Sequence, residues 1–390
     1  MKEYTTVMQQ CLQFLPKHAF EQIVGQHKAD KGSRTFTCWN QLSVMIYAQA
    51  TGKDSLRDIE TGLKVQPKKW YHLGLTSVAK STIADANMRR SHKIFEEVFY
   101  ALLSKCKSHL PEREFQFENP LYSLDGSTIE LCLELFDWAK FRKRKGAVRL
   151  HTLLNNRSQI PEFLEISTGK KHEIKVAQEQ WKEWKLPKES ILAIDRGYID
   201  YEWFNELNKE AIYFVTRAKK NMQYVSIQQS NNLERDILKD EVIEFVLPEA
   251  TESYPQQLRL VTFWDKTNQK TLRFLTNNLI LTARQIAGIY KDRWQIEVFF
   301  RWIKQNLRIK TFLGTSENAV LSQIWIAMIY FLILAYIKAQ TKIQLSAIEL
   351  SRIFSEMFLE RVSIIDLFSL TSTSIAKYKK TRASPQLTLF

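Results

Sequence analysis

Residues 282–307 fit little other than a two-faced α-helix laid against a larger body. Thr282 and Gln285 stand at capping-box spacing, and Ile289, Ile296, Phe300, Ile303 and Leu307 recur as one apolar helical stripe. Adjoining that stripe, about 70° round the helix, lie Tyr290, Arg293, Glu297 and Lys304. Their offsets from the tyrosine are 3, 7 and 14 residues, which at ~3.6 residues per turn project from nearly one face. The stripe needs a core to anchor it. The other face, a carboxylate flanked by two cations and a phenol, suits a metal ion and phosphates better than a core.

The body that receives such a helix is legible upstream. After Pro120 the sequence turns β-prone, at 121–125, 128–135, 148–154 and 163–167, with Gly126 reading as a break between the first two. A helix over 173–184, a short buried strand over 191–195, a helix over 201–207 and an apolar strand over 211–216 follow. Strands, helix, strand, helix, strand is the order of a ribonuclease-H-like α/β core with a mixed sheet. Polar turns and short strands at 242–247, 258–264 and 271–276 then interrupt that core as a β-rich insertion at about 221–279. Residues 1–112 read as helical. There, helices at 55–63 and 81–100 flank a basic break (Gly62, Pro67, Lys68, Lys69), a helix-turn-helix-like pattern with Arg89 and Arg90 on its second helix. This predicts a helical DNA-binding domain over 1–112, the catalytic core over 113–312, C-terminal helices over 313–383 and a tail over 384–390.

Two further acids sit where strands end, in Leu124-Asp125-Gly126-Ser127 and Ile194-Asp195-Arg196-Gly197-Tyr198. An Asp before Gly is ordinarily a turn residue. Two such acids combined with Glu297 on a later helix suggest instead a set of hard oxygen ligands for Mg²⁺, with Mn²⁺ as a substitute. Two ions roughly 3.5–4 Å apart can activate the attacking oxygen and stabilise the leaving one in phosphodiester chemistry. Asp125, Asp195 and Glu297 are therefore the candidate catalytic and metal-binding residues.

The net charge is +14, with 45% apolar and 25% charged residues. That surplus favours a polyanion, double-stranded DNA above all. The most apolar run, 324–337, holds 14 residues and reads as a core helix rather than a membrane span. The N-terminus lacks an apolar signal segment. Cys11, Cys38, Cys106 and Cys132 show no zinc-ligand spacing, which predicts reduced thiols in a cytoplasmic, nucleoid-associated protein.

The chain resembles the bacterial DDE transposases of the insertion-sequence "YREK" family, whose signature is Tyr-x2-Arg-x3-Glu-x6-Lys. Tyr290, Arg293, Glu297 and Lys304 match it without a gap, and the motifs around Asp125 and Asp195 resemble the family's two aspartate motifs. The likeness covers about residues 115–340. It implies a ribonuclease-H-like core with an inserted β-subdomain, Mg²⁺-dependent cleavage at element ends, and transfer of the 3′-hydroxyl into target DNA, with a homodimer acting on paired terminal inverted repeats. Arg293, Lys304 and Tyr290 then meet phosphates near the cut, and Trp294 and Trp264 are candidates to hold an unstacked base. Arg142, Lys143 and Arg144 join Lys140 and Lys145 in a basic cluster on the DNA path. A hydrolytic nuclease of the same fold and a regulatory DNA-binding derivative are the competing readings; the second expects a lost triad carboxylate, and none is lost.

The C-terminal Gln386-Leu387-Thr388-Leu389-Phe390 resembles a bacterial sliding-clamp-binding motif, with Gln386 for polar contacts and Leu387, Leu389 and Phe390 among its apolar anchors. Deleting residues 386–390 is expected to abolish clamp binding in a surface-plasmon-resonance assay; unchanged affinity dismisses the tail reading.

Overall fold

The computed structural model describes residues 5–70, 78–110, 112–142, 145–168, 172–231, 233–307, 311–343 and 345–368. The chain divides into two compact units. One comprises Met1–Pro111, Ile129–Gly146 and Arg301–Phe390; the other comprises Glu112–Thr128 and Ala147–Phe300. In chain order the helices are α1 (Val7–Leu12), α2 (Lys17–Gln26), α3 (Cys38–Ala50), α4 (Leu56–Lys64), α5 (Pro67–Trp70), α6 (Lys80–Arg89), α7 (Lys93–Lys107), α8 (Glu173–Gln180), α9 (Tyr201–Lys209), α10 (Pro248–Ser253), α11 (Ala283–Asp292), α12 (Trp294–Asn306), α13 (Glu317–Thr341) and α14 (Ala347–Met357). The strands are β1 (Leu121–Leu131), β2 (Lys140–Arg142), β3 (Lys145–Asn155), β4 (Ile160–Thr168), β5 (Ile191–Ile194), β6 (Tyr213–Arg217), β7 (Tyr224–Gln229), β8 (Ile237–Phe245), β9 (Leu258–Asp265) and β10 (Lys270–Thr276).

The order β4-β3-β1-β5-β6 forms the ribonuclease-H-like core that the element sequence predicts, antiparallel from β4 to β3 and parallel from β1 through β5 to β6. Alternation of side chains assigns its two faces. Tyr122, Leu124, Leu192, Ile194 and Phe214 pack with Trp203, Phe204 and Leu207 of α9. Leu121, Ile191, Ala193 and Val215 pack instead with Ile286, Ala287 and Ile289 of α11. All four β5 residues are buried, as a strand covered on both sides requires.

The structure revises several expected bounds. Gly126 does not end a strand: β1 runs unbroken through Asp125-Gly126, because extended backbone there keeps pairing while the missing Cβ leaves room for Glu173. The β-rich insertion lies before α11 as expected, and its strands extend the core sheet: β10 pairs antiparallel with β6, and β9, β8 and β7 follow outward, ten strands among the described residues. The strand expected at 242–247 is longer and earlier, spanning Ile237–Phe245. The helix expected over 81–100 is two helices, α6 and α7. Arg90 adopts an extended conformation between them, and Asn318 satisfies the broken turn by accepting from the His92 N–H at 2.9 Å and donating to the carbonyls of Asn87 and Arg90 at 2.9 and 2.5 Å.

In the helical unit, α13 is the central element, packed by α3, α6, α7 and α14. It is longer than the apolar run suggested: 25 residues with an 18-residue window of mean hydropathy 2.1, enough by length to cross a bilayer. Yet 94% of that window is buried within the protein, so it serves as a core helix. The four cysteines are free thiols.

Phe214 is fully buried and stacks on Phe204 with centroids 4.0 Å apart. Phe214→Ala is expected to destabilise the sheet unit by about 3–5 kcal/mol, read from the urea midpoint at constant slope.

Candidate active site

The register of β1 against β5 pairs Leu124 with Ile194, so Asp125 and Asp195 each lie one residue beyond a paired position on adjacent parallel strands. Neighbouring strands stand roughly 5 Å apart. Parity puts both acids on the α11 side of the sheet, since residues 121, 191 and 193 already face that helix. Asp195 stays extended and accepts the Arg196 N–H at 2.5 Å, opening a short 3-10 turn over Arg196–Tyr198. Asp125 accepts the Gly126 N–H at 2.8 Å.

The expected capping box of Thr282 and Gln285 opens α11, and the apolar stripe of Ile289, Ile296, Phe300, Ile303 and Leu307 is buried throughout. The helix is nevertheless interrupted. Arg293 separates α11 from α12, and the Ile296 N–H reaches the Arg293 carbonyl at 3.2 Å in a tightened turn. From that break the Arg293 guanidinium donates to Asp125 Oδ2 at 3.2 Å and to Glu297 Oε1 at 2.6 Å. Only 11% of its side chain is exposed. Burial alone would weaken its hold on the proton; the Glu297 hydrogen bond and the fields of Tyr290, Asp125 and Glu297 outweigh that and strengthen it. Tyr290 lies under the guanidinium, 5.6 Å from ring centroid to Cζ, and packs on Phe274 at 4.9 Å.

Asp125, Asp195, Glu297, Arg293 and Tyr290 thus belong to one unit and one neighbourhood. Asp125 and Glu297 meet on a guanidinium rather than on each other, and among the described residues no three His, Cys, Asp or Glu side chains form a ready metal cluster. The donors still suit a divalent ion. Burial, with Glu173 and Asp195 nearby, pushes the Asp125 carboxyl up to about 6 against the pull of the Gly126 N–H and Arg293. A cation would relieve the penalty on its charge.

Lys304 lies two turns beyond Glu297 on α12, half-buried, in the helical unit. Trp294 is 46% exposed at the start of α12, whereas Trp264 is half-buried on β9 opposite Thr271. Arg89 is exposed, 3.7 Å from Asp85. Arg90 departs from the expected DNA contact: its guanidinium turns inward to Ser33, Gln41, the Phe36 carbonyl and Asp30. Arg142 ends β2, its side chain outside the described set; Lys143, Arg144, Gln386, Leu387, Leu389 and Phe390 lie outside the described residues.

Sequence reasoning missed three neighbours. Glu173, at the start of α8, lies over Gly126 so closely that a Cβ there would sit 2.9 Å from Glu173 Oε1; Arg149 holds the same oxygen at 3.4 Å. The Tyr198 hydroxyl is buried without a hydrogen-bond partner, among Glu173, Asp125, Arg149 and Asp195. Only the position of Glu173 at the start of the helix that follows β4 could have flagged it.

The family model described as a transposase DDE domain matches residues 116–332, more than half of the chain. The chain belongs to the DDE transposase family. A second family model, a domain of unknown function, matches residues 3–76. Among curated relatives, a Geobacillus stearothermophilus protein named "Probable transposase for insertion sequence element IS5377" is 27% identical over 83% of each chain. A Sinorhizobium fredii protein designated transposase y4zB is 29% identical over 74% of this chain and 80% of its own.

The transposase carries a linkage at Asp125. A carboxyl that ionises near 3.8 when unfolded and about 6 when folded favours the protonated native state, so stability falls as pH rises from about 4 to about 6 and the whole penalty stands above that. Asp125→Asn is expected to stabilise the metal-free protein by about 1–3 kcal/mol at pH 7.5 and by nothing near pH 4. Urea unfolding in EDTA at both pH values measures it; destabilisation at pH 7.5 refutes the sign.

Proposed function

We propose that this transposase binds the terminal inverted repeats of its insertion sequence, cuts them by metal-dependent phosphodiester chemistry, and joins the 3′-hydroxyl ends to target DNA. The observation that carries the reading is the pairing of Asp125 and Asp195 on neighbouring strands, with Glu297 tied to Asp125 through Arg293. Asp125, Asp195 and Glu297 would hold Mg²⁺ or Mn²⁺, as two ions. When bound, these supply Lewis-acid activation of the attacking and leaving oxygens.

The protein's own groups do the rest. Arg293 can exchange its carboxylate partners for a phosphate of the same planar bidentate geometry. Tyr290 backs the guanidinium, its ring centroid 5.6 Å from Cζ. The exposed Trp294 indole offers a face to an unpaired base, and Lys304 adds a point charge for the backbone. In this reading the helices of residues 1–112 grip the repeats, two copies act on paired ends in the bacterial cytoplasm, and the tail at 386–390 recruits a sliding clamp.

A nuclease that only hydrolyses is the second reading, because the same carboxylates would serve it; joining of a labelled end oligonucleotide to plasmid separates the two. Asp195→Asn is expected to lower Mg²⁺-dependent end cleavage and joining at least about 100-fold while gel-shift affinity for the ends changes less than about twofold. Retained cutting by the purified variant would falsify the ligand assignment.

A further inference from the structure

Beside Asp195 lies an open cleft of about 450 Å³ lined by Asp195, Arg196, Gly197, Lys219, Lys220 and Asn221. Its two walls are the turn after β5 and the loop after β6, which parallel pairing holds side by side. The loop is fixed at its root, where the buried Ala218 donates its N–H to the Arg273 carbonyl at 2.9 Å. Arg196, Lys219 and Lys220 are exposed, and among the described residues none of the three forms an ion pair. Other surface cations do pair, as Lys64 does with Glu60, Lys266 with Asp236 and Arg284 with Glu234.

The lining is not a sample of an evenly basic surface. A cleft of similar size on the same unit is acidic, lined by Glu202, Glu206, Glu249 and Glu252 against Lys209. Only the basic cleft includes a catalytic carboxylate in its wall. Three cations that find no anion among the described residues, next to an acid that handles phosphodiesters, match a polyanionic strand entering or leaving the reaction. Gly197 adds room, since a Cβ on it meets nothing within 4 Å and the backbone is open to close approach.

We propose that this cleft seats the DNA backbone phosphates that flank the reacting phosphodiester, with Arg196 as a bidentate contact, Lys219 and Lys220 as point charges and Asn221 as a polar contact. The assignment rests on the transposase reading above and deepens it. The phosphates can belong to the element end or to the target, and the test has an arm for each.

Lys219→Ala/Lys220→Ala removes two phosphate contacts, each contributing about 0.9 to the log–log salt slope. For element-end binding the slope is expected to fall by about 2, so the affinity lost between roughly 50 and 200 mM salt shrinks by about 10-fold. If the cleft serves the target instead, end binding is unchanged and joining of a pre-cleaved end to plasmid falls by a similar factor. Gly197→Glu, which has space for its side chain, places a carboxylate in the cleft and is expected to weaken the same arm; its thermal midpoint should match wild type. Variants that fold normally yet leave both salt slope and joining intact overturn the proposal. A wild-type protein that binds and joins no element end overturns the transposase reading itself, an outcome visible without any variant.

Discussion

A buried guanidinium between two carboxylates sets the state of the whole site. Without Arg293, Asp125 would be a desolvated acid near Glu173 and Asp195 with no countercharge of its own, and Glu297 would lose the hydrogen bond that orients it. Leaving a buried charge unpaired is far more costly than never building the pair. The arrangement therefore offsets part of the burial penalty on Asp125 and ties Glu297 to the same guanidinium. In the proposed reaction, binding is then an exchange of partners, in which a divalent ion would take the carboxylates and a phosphate the arginine.

That exchange needs a rigid support, and the sheet supplies it. Strict alternation on β1 and β5 directs Asp125 and Asp195 toward α11, while the residues between them anchor the opposite face on α9. A slip of one residue in the β1–β5 register would send an acid to the wrong side. The fully buried β5 run Ile191–Ile194 makes such a slip prohibitive, because its side chains are packed on both faces.

Much of this was legible in the sequence because it depends on local periodicity. The strand–helix order gave the core, the capping box opened α11, and the stripe from Ile289 to Leu307 identified the buried face. What escaped depends on partners far away in the chain. The break at Arg90 is stabilised by Asn318, and Arg90 itself is consumed by Asp30, Ser33 and the Phe36 carbonyl, so a basic residue that looked available is structural. The interruption at Arg293 is invisible to helical spacing, which has no term for a side chain drawn toward Asp125. That the insertion's strands would extend the core sheet could not be read, because strand pairing across β6 and β10 leaves no mark on either segment alone. Glu173 was missed because an acid opening a helix is ordinary, and only Gly126 beneath it shows how near Asp125 it lies.

The continuity of β10 with β6 has a mechanical consequence. The hairpins β7–β8 and β9–β10 are not an appendage on a flexible stem: a ladder of backbone hydrogen bonds runs from them through β6 to β5 and β1. Torque applied to the outer strands passes along a stiff plate to the ends of β5 and β1, where Asp195 and Asp125 sit, instead of dissipating in a hinge.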